Sequence, residues 1–400
     1  MTIKLLACSG SLDGGGSERQ LWQLVSNLPE PDFCSQIFLV YKRGPYLDRL
    51  PSNIPVHAFS EVHRSSGGFR LPGSIHREQV AYVRQLIQEQ KIQAVYDRTF
   101  HMTLITSKAC RQVGCPRVSV IVSPPSLDFG GSNERFKWLK YRILRQAYSD
   151  PGAVTICVSQ AVADDAAEYY QVPNNCFRVV ESPVDISSVL RESQEPVHEQ
   201  TVAYSKREKG TRKVLQVVVV GRMTTEKGHA TMIEAVRAWN QLKDQPGWLP
   251  LGVDFLGDGP LQAELSRLAK AMGIEDQIRF RGFQSNPYPW IANADVVSIP
   301  SQYEGLPNVA LESMALRRPV IATMCSSSLT RLIGPDNTRG QLVPVGDSVA
   351  IAQALLNFLR DEKRWEDRCQ LAFNWVSSHH SLDSWIKVMA TIFCDLATRK

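Results

Sequence analysis

Residues 301–322 read SQYEGLPNVALESMALRRPVIA and set two carboxylates, Glu304 and Glu312, inside a run dominated by leucine, valine, alanine and methionine. Acids on a solvated helix face would be scattered among lysines instead. The preceding ADVVSIP reads as a buried strand, and Pro307 marks a helix start, since its ring suits the first helical position. Glu304 then falls in a strand-to-helix loop and Glu312 in the second turn of the helix. First-turn amides at Asn308, Val309 and Ala310 carry partial positive charge and suit an anion such as a diphosphate. A carboxylate close behind can accept hydrogen bonds from vicinal hydroxyls, as on a ribose. Spacing alone leaves equal room for a plain loop acid followed by an acid that complements the helix start.

A second joint of the same kind is VLQVVVVGRMTTEKGHATMIEAV, in which a very apolar strand ends at Arg222, followed by Lys227, Gly228 and a helix. Arginine offers a flat fork of donors and lysine a compact charge, which together fit a diphosphate; standing alone, the segment reads first as a solvated basic loop. A third, DFLGDGPLQAEL, brings Gly257 and a tight Gly259-Pro260 turn to the same edge. Near the N-terminus, CSGSLDGGGSERQLWQL has Gly14, Gly15 and Gly16 at a strand-to-helix turn, where backbone can approach a phosphate or sugar closely. It is not the G-x-G-x-x-G dinucleotide fingerprint, and a flexible turn is the alternative. In AVYDRTFHMTL, Asp97 and Arg98 end a strand and His101 opens a helix, so all three are candidates for a ligand-facing edge, with a helix-start role as the alternative for His101. The run RFKWLKYRILRQAY (135–148) interleaves Lys137, Lys140, Arg142 and Arg145 with Phe136, Trp138 and Tyr141. That pattern suits peripheral contact with an anionic membrane, or else a solvated helix with its apolar side in the core.

These loops need a scaffold. Short apolar runs (IKLLACS, SQIFLVY, IQAVYDR, RVSVIVS, VTICVS) alternate with amphipathic helical patterns, break at a polar stretch, and resume with KVLQVVVVGR, GVDFLG, ADVVSIPS and PVIAT. Strands too apolar for alternation, separated by helices, predict parallel sheets covered on both faces. In such sheets ligands bind beyond the carboxyl ends of the strands, where all the loops above lie. At 400 residues the chain exceeds one ordinary core, and the pattern divides it into an N-terminal domain 1–186, a polar linker or insertion 187–213, a C-terminal domain 214–375, and a C-terminal helix 376–400 packing back on the protein.

The net charge of +5 permits an anionic ligand without demanding nucleic acid, for which no zinc-finger or RNP-like run is present. Nine scattered cysteines without a CxxC suggest reduced thiols. The apolar stretch before Cys8 is too short for a signal core, and no run approaches the ~20 residues of a spanning helix. The expected location is cytoplasmic, with the inner membrane face as a peripheral option.

The ordered set GR…EKG, LGDGP and S-x-x-EGLPNVALESMA, followed by GQLVPVGD, is dense between Val214 and Asp347 and resembles the family 4 retaining glycosyltransferases; the likeness extends over nearly the whole chain. It implies a GT-B fold, two doubly wound Rossmann-like α/β domains facing a central cleft, with an acceptor-side N-terminal domain. It implies a nucleotide diphosphate sugar as donor, a UDP-sugar first among them, and a saccharide or lipid-linked acceptor. By this resemblance Glu304 faces the sugar hydroxyls, Glu312 holds the ribose, and Arg222 and Lys227 neutralise the departing diphosphate. Gly15, Gly16, Gly257, Gly305, Leu306, Asn308 and Val309 join the binding set, and His101 is a catalytic candidate. No Asp-x-Asp element is evident, so no metal or other cofactor is expected. Where many members of the family carry a histidine, this chain has Ser123-Pro124-Pro125, which leaves the donor sugar open. Two rivals are a nucleotide-sugar 2-epimerase, which needs no acceptor, and a non-catalytic binding module. Retention of all four of Arg222, Lys227, Glu304 and Glu312 counts against the second.

Overall fold

A computed structural model describes residues 2–63, 73–197 and 214–398. The chain forms two compact units, Met1–Ser182 with Asp383–Lys400, and Pro183–Leu382. Each is an all-parallel sheet with helices packed on it, the α/β arrangement expected from the alternation of buried runs and amphipathic segments.

In the first unit the strands are β1 (Ile3–Ser9), β2 (Phe33–Leu39), β3 (Val56–Ala58), β4 (Ala94–Arg98), β5 (Arg117–Ile121), β6 (Ala153–Cys157) and β7 (Phe177–Val179). Their spatial order is β3-β2-β1-β4-β5-β6-β7. The winding reverses at β1, which pairs with β2 on one side and β4 on the other. The chain leaving β1 and the chain leaving β4 therefore diverge, the first passing Gly15 into the helix Gly16–Asn27 and the second entering at once the helix Thr99–Val113, which carries His101.

The second unit has β8 (Leu215–Val220), β9 (Leu251–Leu256), β10 (Ile278–Phe280), β11 (Val296–Ile299), β12 (Val320–Thr323) and β13 (Gln341–Val343), in the order β10-β9-β8-β11-β12-β13. Its core gathers Val217, Val219, Val253 and Phe255 from the strands around the fully buried Trp239, whose indole N–H donates to the Leu249 carbonyl at 3.0 Å. The direction of winding switches between β8 and β11, where Val217 lies opposite Val296 and Val218 opposite Val297. Such a switch point is where an open α/β sheet leaves room for a ligand. The two loops that leave it, 221–228 and 300–307, contain Arg222, Lys227 and Glu304.

The unit boundaries differ from the sequence expectation at two places. The start of the expected linker is the helix Ile186–Glu192, capped by Asp185, whose Oδ1 accepts from Ser188 N–H at 2.9 Å; it belongs to the second unit. Its seven residues sit in a polar stretch, too short to announce a helix by periodicity. The remainder of that linker, from 198 to 213, lies outside the described residues. At the other end, the expected 376–400 helix is two elements: Glu362–His379 stays with the second unit, and Leu382–Thr398 packs into the first. Phe393 sets its ring edge-on to Phe33 at 6.3 Å and to Tyr96 at 6.1 Å, and is fully buried. Burial of one such side chain stabilises by about 1.5–3 kcal/mol. The two passages of chain near the boundary run side by side, with Val184 N–H donating to His380 O at 2.8 Å.

Candidate functional site

In the second unit the loops beyond β8, β9 and β11 are fastened backbone to backbone. Gly221 N–H donates to Leu256 O at 2.9 Å, Met223 N–H to Asp258 O at 2.8 Å, and Gln302 N–H to Glu226 O at 2.7 Å. Two glycines make this closeness possible. A Cβ on Gly257 would lie 2.1 Å from Gly221 O, and one on Gly228, which has φ +65°, would lie 1.9 Å from Pro300 O. The LGDGP and EKG motifs are thus places where main chains touch.

With the loops so close, Lys227 Nζ reaches Glu304 Oε1 at 2.7 Å. Ser301 Oγ donates to the same oxygen at 2.8 Å. Only 11% of the Glu304 side chain and 29% of the Lys227 side chain is exposed. Lysine has three protons and here commits one, leaving two for an anion. Oε1 takes both donors, and Oε2 is the oxygen left to receive a ligand's hydroxyls. Arg222 lies on the same loop, is exposed, and has no side-chain partner among the described residues. Beside the pair, burial pushes the Cys325 thiol up to about 11; the Glu304 carboxylate adds to this, and the Thr323 hydroxyl opposes it. His229, buried at the head of the helix His229–Asn240, is lowered to about 4, first by burial and then by repulsion from Lys227. Its ring is tilted against Phe255 at 5.3 Å.

The second acid stands on the helix Asn308–Ala315, one residue later than expected, with Pro307 in extended geometry (φ −72°, ψ 117°) as its cap. Of the three first-turn amides nominated from the sequence, Ala310 N–H is already bonded to Pro307 O at 3.1 Å. Val309 remains an amide candidate, and Asn308 already has an interaction of its own. Glu312 is 4% exposed, and Gly305 and Leu306 are buried ahead of the helix. Lys227, Glu304 and Ser301 are therefore in direct contact, while Arg222, Gly257, Gly305, Leu306, Asn308, Val309 and Glu312 share the same group of joints. Ser301 was not nominated from the sequence, and neither were Thr323 and Ser328, whose hydroxyls donate to Ser301 O and Gly305 O. A serine or threonine at a strand end is the available signal, and it is a common one.

In the first unit Gly15 caps and Gly16 opens the helix Gly16–Asn27. Asp97 does not face an open edge: it is fully buried and accepts from Thr103 and Thr106 at 2.6 Å and Ser119 at 2.8 Å. Arg98 is likewise buried and donates to Tyr96 Oη at 2.9 Å. These two are structural, because a strand-end charge can turn inward when hydroxyls await it. His101 is the exposed member of the trio; its Nε2 lies 3.0 Å from Glu134 Oε1. The Ser123-Pro124-Pro125 segment leads into a tight turn, with Gly130 N–H donating to Pro125 O at 2.7 Å and Ser126 N–H to Asp165 Oδ1 at 2.9 Å. On the helix Lys137–Tyr148, Lys137 is bound to the carbonyls of Gly130 and Ser132, Lys140 to Glu134, and Tyr141 to Tyr169 O. The exposed members of this basic-aromatic run are Arg135, Phe136, Trp138, Leu139, Arg142, Arg145 and Gln146. Among the described residues no group of three or more His, Cys, Asp or Glu is arranged to hold a metal ion, and no helix is long and apolar enough to cross a membrane.

Residues 14–188 match the family model for Glycosyltransferase Family 4, and residues 215–361 that for Glycosyl transferases group 1. A curated relative from Campylobacter jejuni, N-acetylgalactosamine-N,N'-diacetylbacillosaminyl-diphospho-undecaprenol 4-alpha-N-acetylgalactosaminyltransferase, is 34% identical over 147 residues, 37% of this chain and 38% of the relative. Lipopolysaccharide core biosynthesis glycosyltransferase LpsE from Rhizobium meliloti is 35% identical over 150 residues, 36% of this chain and 39% of the relative. These matches thus span about two-fifths of each relative's length. Among solved structures, HepE of Anabaena in complex with UDP and glucose superposes with a TM-score of 0.78 at 19% identity, covering 98% of this chain and all of that one.

Proposed function

Because the chain belongs to the family 4 glycosyltransferases and has their GT-B fold, we propose that it transfers a sugar, with retention, from a nucleotide diphosphate sugar to a saccharide or lipid-linked saccharide acceptor in surface polysaccharide or glycoconjugate assembly. The observation that carries this reading is the Lys227–Glu304 contact at the switch point of the second sheet. It joins a cation suited to a leaving diphosphate and a carboxylate suited to sugar hydroxyls, which are the two needs of glycosyl transfer. UDP-sugars are the first donors to test, since HepE was solved with UDP.

The chemistry follows from where charge develops. As the bond from the sugar carbon to the diphosphate breaks, negative charge grows on the phosphate oxygens and positive charge on the sugar carbon. Lys227, with two uncommitted protons, and the exposed Arg222 meet the first; donors fixed there stabilise the transition state more than the ground state. Glu304, held by Oε1, orients the sugar through Oε2 and places a carboxylate near the second. Glu312 holds the ribose behind the first turn of its helix. This set performs the reaction without a metal. His101 would serve on the acceptor side.

For a lipid-linked acceptor, the exposed Phe136, Trp138, Leu139, Arg142 and Arg145 form the surface suited to an anionic membrane, in place of the internally bonded Lys137 and Lys140. The test of the function is a panel of nucleotide sugars assayed for binding and for slow hydrolysis, followed by acceptor screening with the donor that binds. Release of a free epimer or an epimerised donor without acceptor would favour the 2-epimerase. Binding with neither hydrolysis nor transfer would favour a binding module.

A further inference from the structure

The loop that carries Glu304 is braced from beneath by two hydroxyls that belong to the next joint of the sheet. Thr323, the last residue of β12, donates Oγ1 to Ser301 O; the Ile299 carbonyl, at 3.4 Å, is the more distant choice. Ser328, in the first turn of the helix Ser327–Ile333, donates Oγ to Gly305 O. Thr323 is fully buried and Ser328 is 5% exposed.

A hydroxyl has one proton, so the bonding order can be deduced. With its proton on Gly305 O, Ser328 Oγ must accept from Ser326 Oγ, 2.9 Å away, and Ser326 Oγ in turn accepts from Leu329 N–H at 3.3 Å. A run of hydrogen bonds therefore leads from a helix amide through two serines to the Gly305 carbonyl. On the opposite side, Gln302 N–H is held by Glu226 O at 2.7 Å. The carbonyls of residues 301 and 305 and the amide of residue 302 are thus all committed. The 301–302 and 305–306 peptide planes thus have fixed directions and hold both ends of the short span that carries Glu304, whose side-chain torsions remain to be set. Lys227 and Ser301 set those by occupying Oε1.

We propose that Thr323 and Ser328 are positioning residues for the transfer step: they fix the Ser301–Gly305 backbone so that Oε2 of Glu304 meets the hydroxyls of the sugar being transferred. The proposal rests on the function given above. Neither hydroxyl belongs to the diphosphate set at Arg222 and Lys227 or to the ribose acid Glu312. They should therefore affect turnover without affecting affinity for UDP, a separation that a role in general folding would not produce.

The test uses the full chain with Thr323→Val, Ser328→Ala and the conservative Thr323→Ser. Three quantities are measured: UDP affinity by calorimetry, kcat and KM for the donor chosen by the panel, and amide hydrogen exchange in peptides spanning 301–306. Thr323→Val and Ser328→Ala are expected to lower kcat by about 10–100-fold, since ångström-scale misplacement costs up to about 10²-fold. UDP affinity should be unchanged, exchange should quicken in 301–306, and Thr323→Ser should restore the wild-type values. Parallel loss of UDP affinity and turnover would overturn the proposal, as would wild-type turnover in Thr323→Val or failure of Thr323→Ser to restore it. If wild type turns over no nucleotide sugar, the function above fails and the exchange data alone decide. Faster exchange confined to 301–306 upholds the brace, and unchanged exchange refutes it.

Discussion

Replacing Gly228 by alanine asks whether the close approach of two loops is what assembles the site. Two costs arise, and a second glycine separates them. The first is conformational: at φ +65° a side chain is forced into the left-handed region, at about 1 kcal/mol. The second is steric: the new Cβ would lie 1.9 Å from Pro300 O, where real Cβ contacts are not found under 3.0 Å, so the loops must part by about 1 Å. Strain of that kind adds about 1–3 kcal/mol. Gly273 has nearly the same φ, +63°, and nothing within 4 Å of its would-be Cβ, so Gly273→Ala carries the first cost alone. At about 2–4 °C per kcal/mol for a unit of this size, Gly273→Ala should lower Tm by roughly 2–4 °C. Gly228→Ala, at about 2–4 kcal/mol in total, should lower it by roughly 4–16 °C. Parting the loops also draws Lys227 from Glu304, and turnover should fall by about 10²-fold, whereas Gly273→Ala should leave it intact. Thermal melts followed by circular dichroism, with donor turnover measured well below both transitions, provide the comparison. Equal Tm shifts for the two variants, or wild-type turnover in Gly228→Ala, would refute the claim that this backbone contact builds the site.

Arg222→Ala should weaken nucleotide diphosphate binding and lower turnover by about 10²–10³-fold, while EDTA leaves wild-type activity intact; strict dependence on a divalent ion would rule out the metal-free scheme. Glu312→Ala should weaken UDP by roughly 1.5–3 kcal/mol, whereas Glu304→Ala should spare UDP affinity and impair transfer, and equal effects in calorimetry would show the roles to be wrongly divided. His229, at about 4 when folded against an ordinary 6.5, is neutral in the folded state, so its contribution is fully present above pH 6.5 and is lost as pH falls towards 4. The full swing is about 3 kcal/mol, and His229→Gln should flatten that part of the stability profile in urea melts at stepped pH. If the acceptor is membrane-borne, wild type should co-sediment with anionic liposomes at low salt, less so at high salt, and Trp138→Ala/Arg142→Glu/Arg145→Glu should stay in solution; indifference of wild type to anionic lipid would favour a soluble acceptor.

The sequence made the sheet legible because parallel strands covered on both faces must be apolar throughout, as LQVVVV at β8 is. Glu304 and Lys227 could be nominated because charged residues directly after such strands stand out, but their contact depends on β8 pairing with β11, nearly eighty residues later in the chain. Asp97 shows the limit of that reasoning. It ends a strand just as conspicuously, yet it turns inward because Thr103, Thr106 and Ser119 present hydroxyls from other elements. Lys137 and Lys140 misled for a similar reason, since carbonyls and a carboxylate from the preceding loop claim their charges. The hydroxyls of Thr323 and Ser328 had no signature at all; their importance comes only from the carbonyls beneath which the fold sets them.

The exchange of the helix Leu382–Thr398 into the first unit has a consequence for how the protein is made. Phe33 and Tyr96 are synthesised early, but the ring that packs between them belongs to Phe393. On the ribosome the second unit, which ends at Leu382, has its whole sequence available before the first unit does. The N-terminal sheet must wait with part of its apolar face uncovered until the last helix emerges from the exit tunnel. The order of completion is the reverse of the order of translation, and a released chain truncated shortly before Phe393 would leave that face uncovered although every residue of the second unit is present.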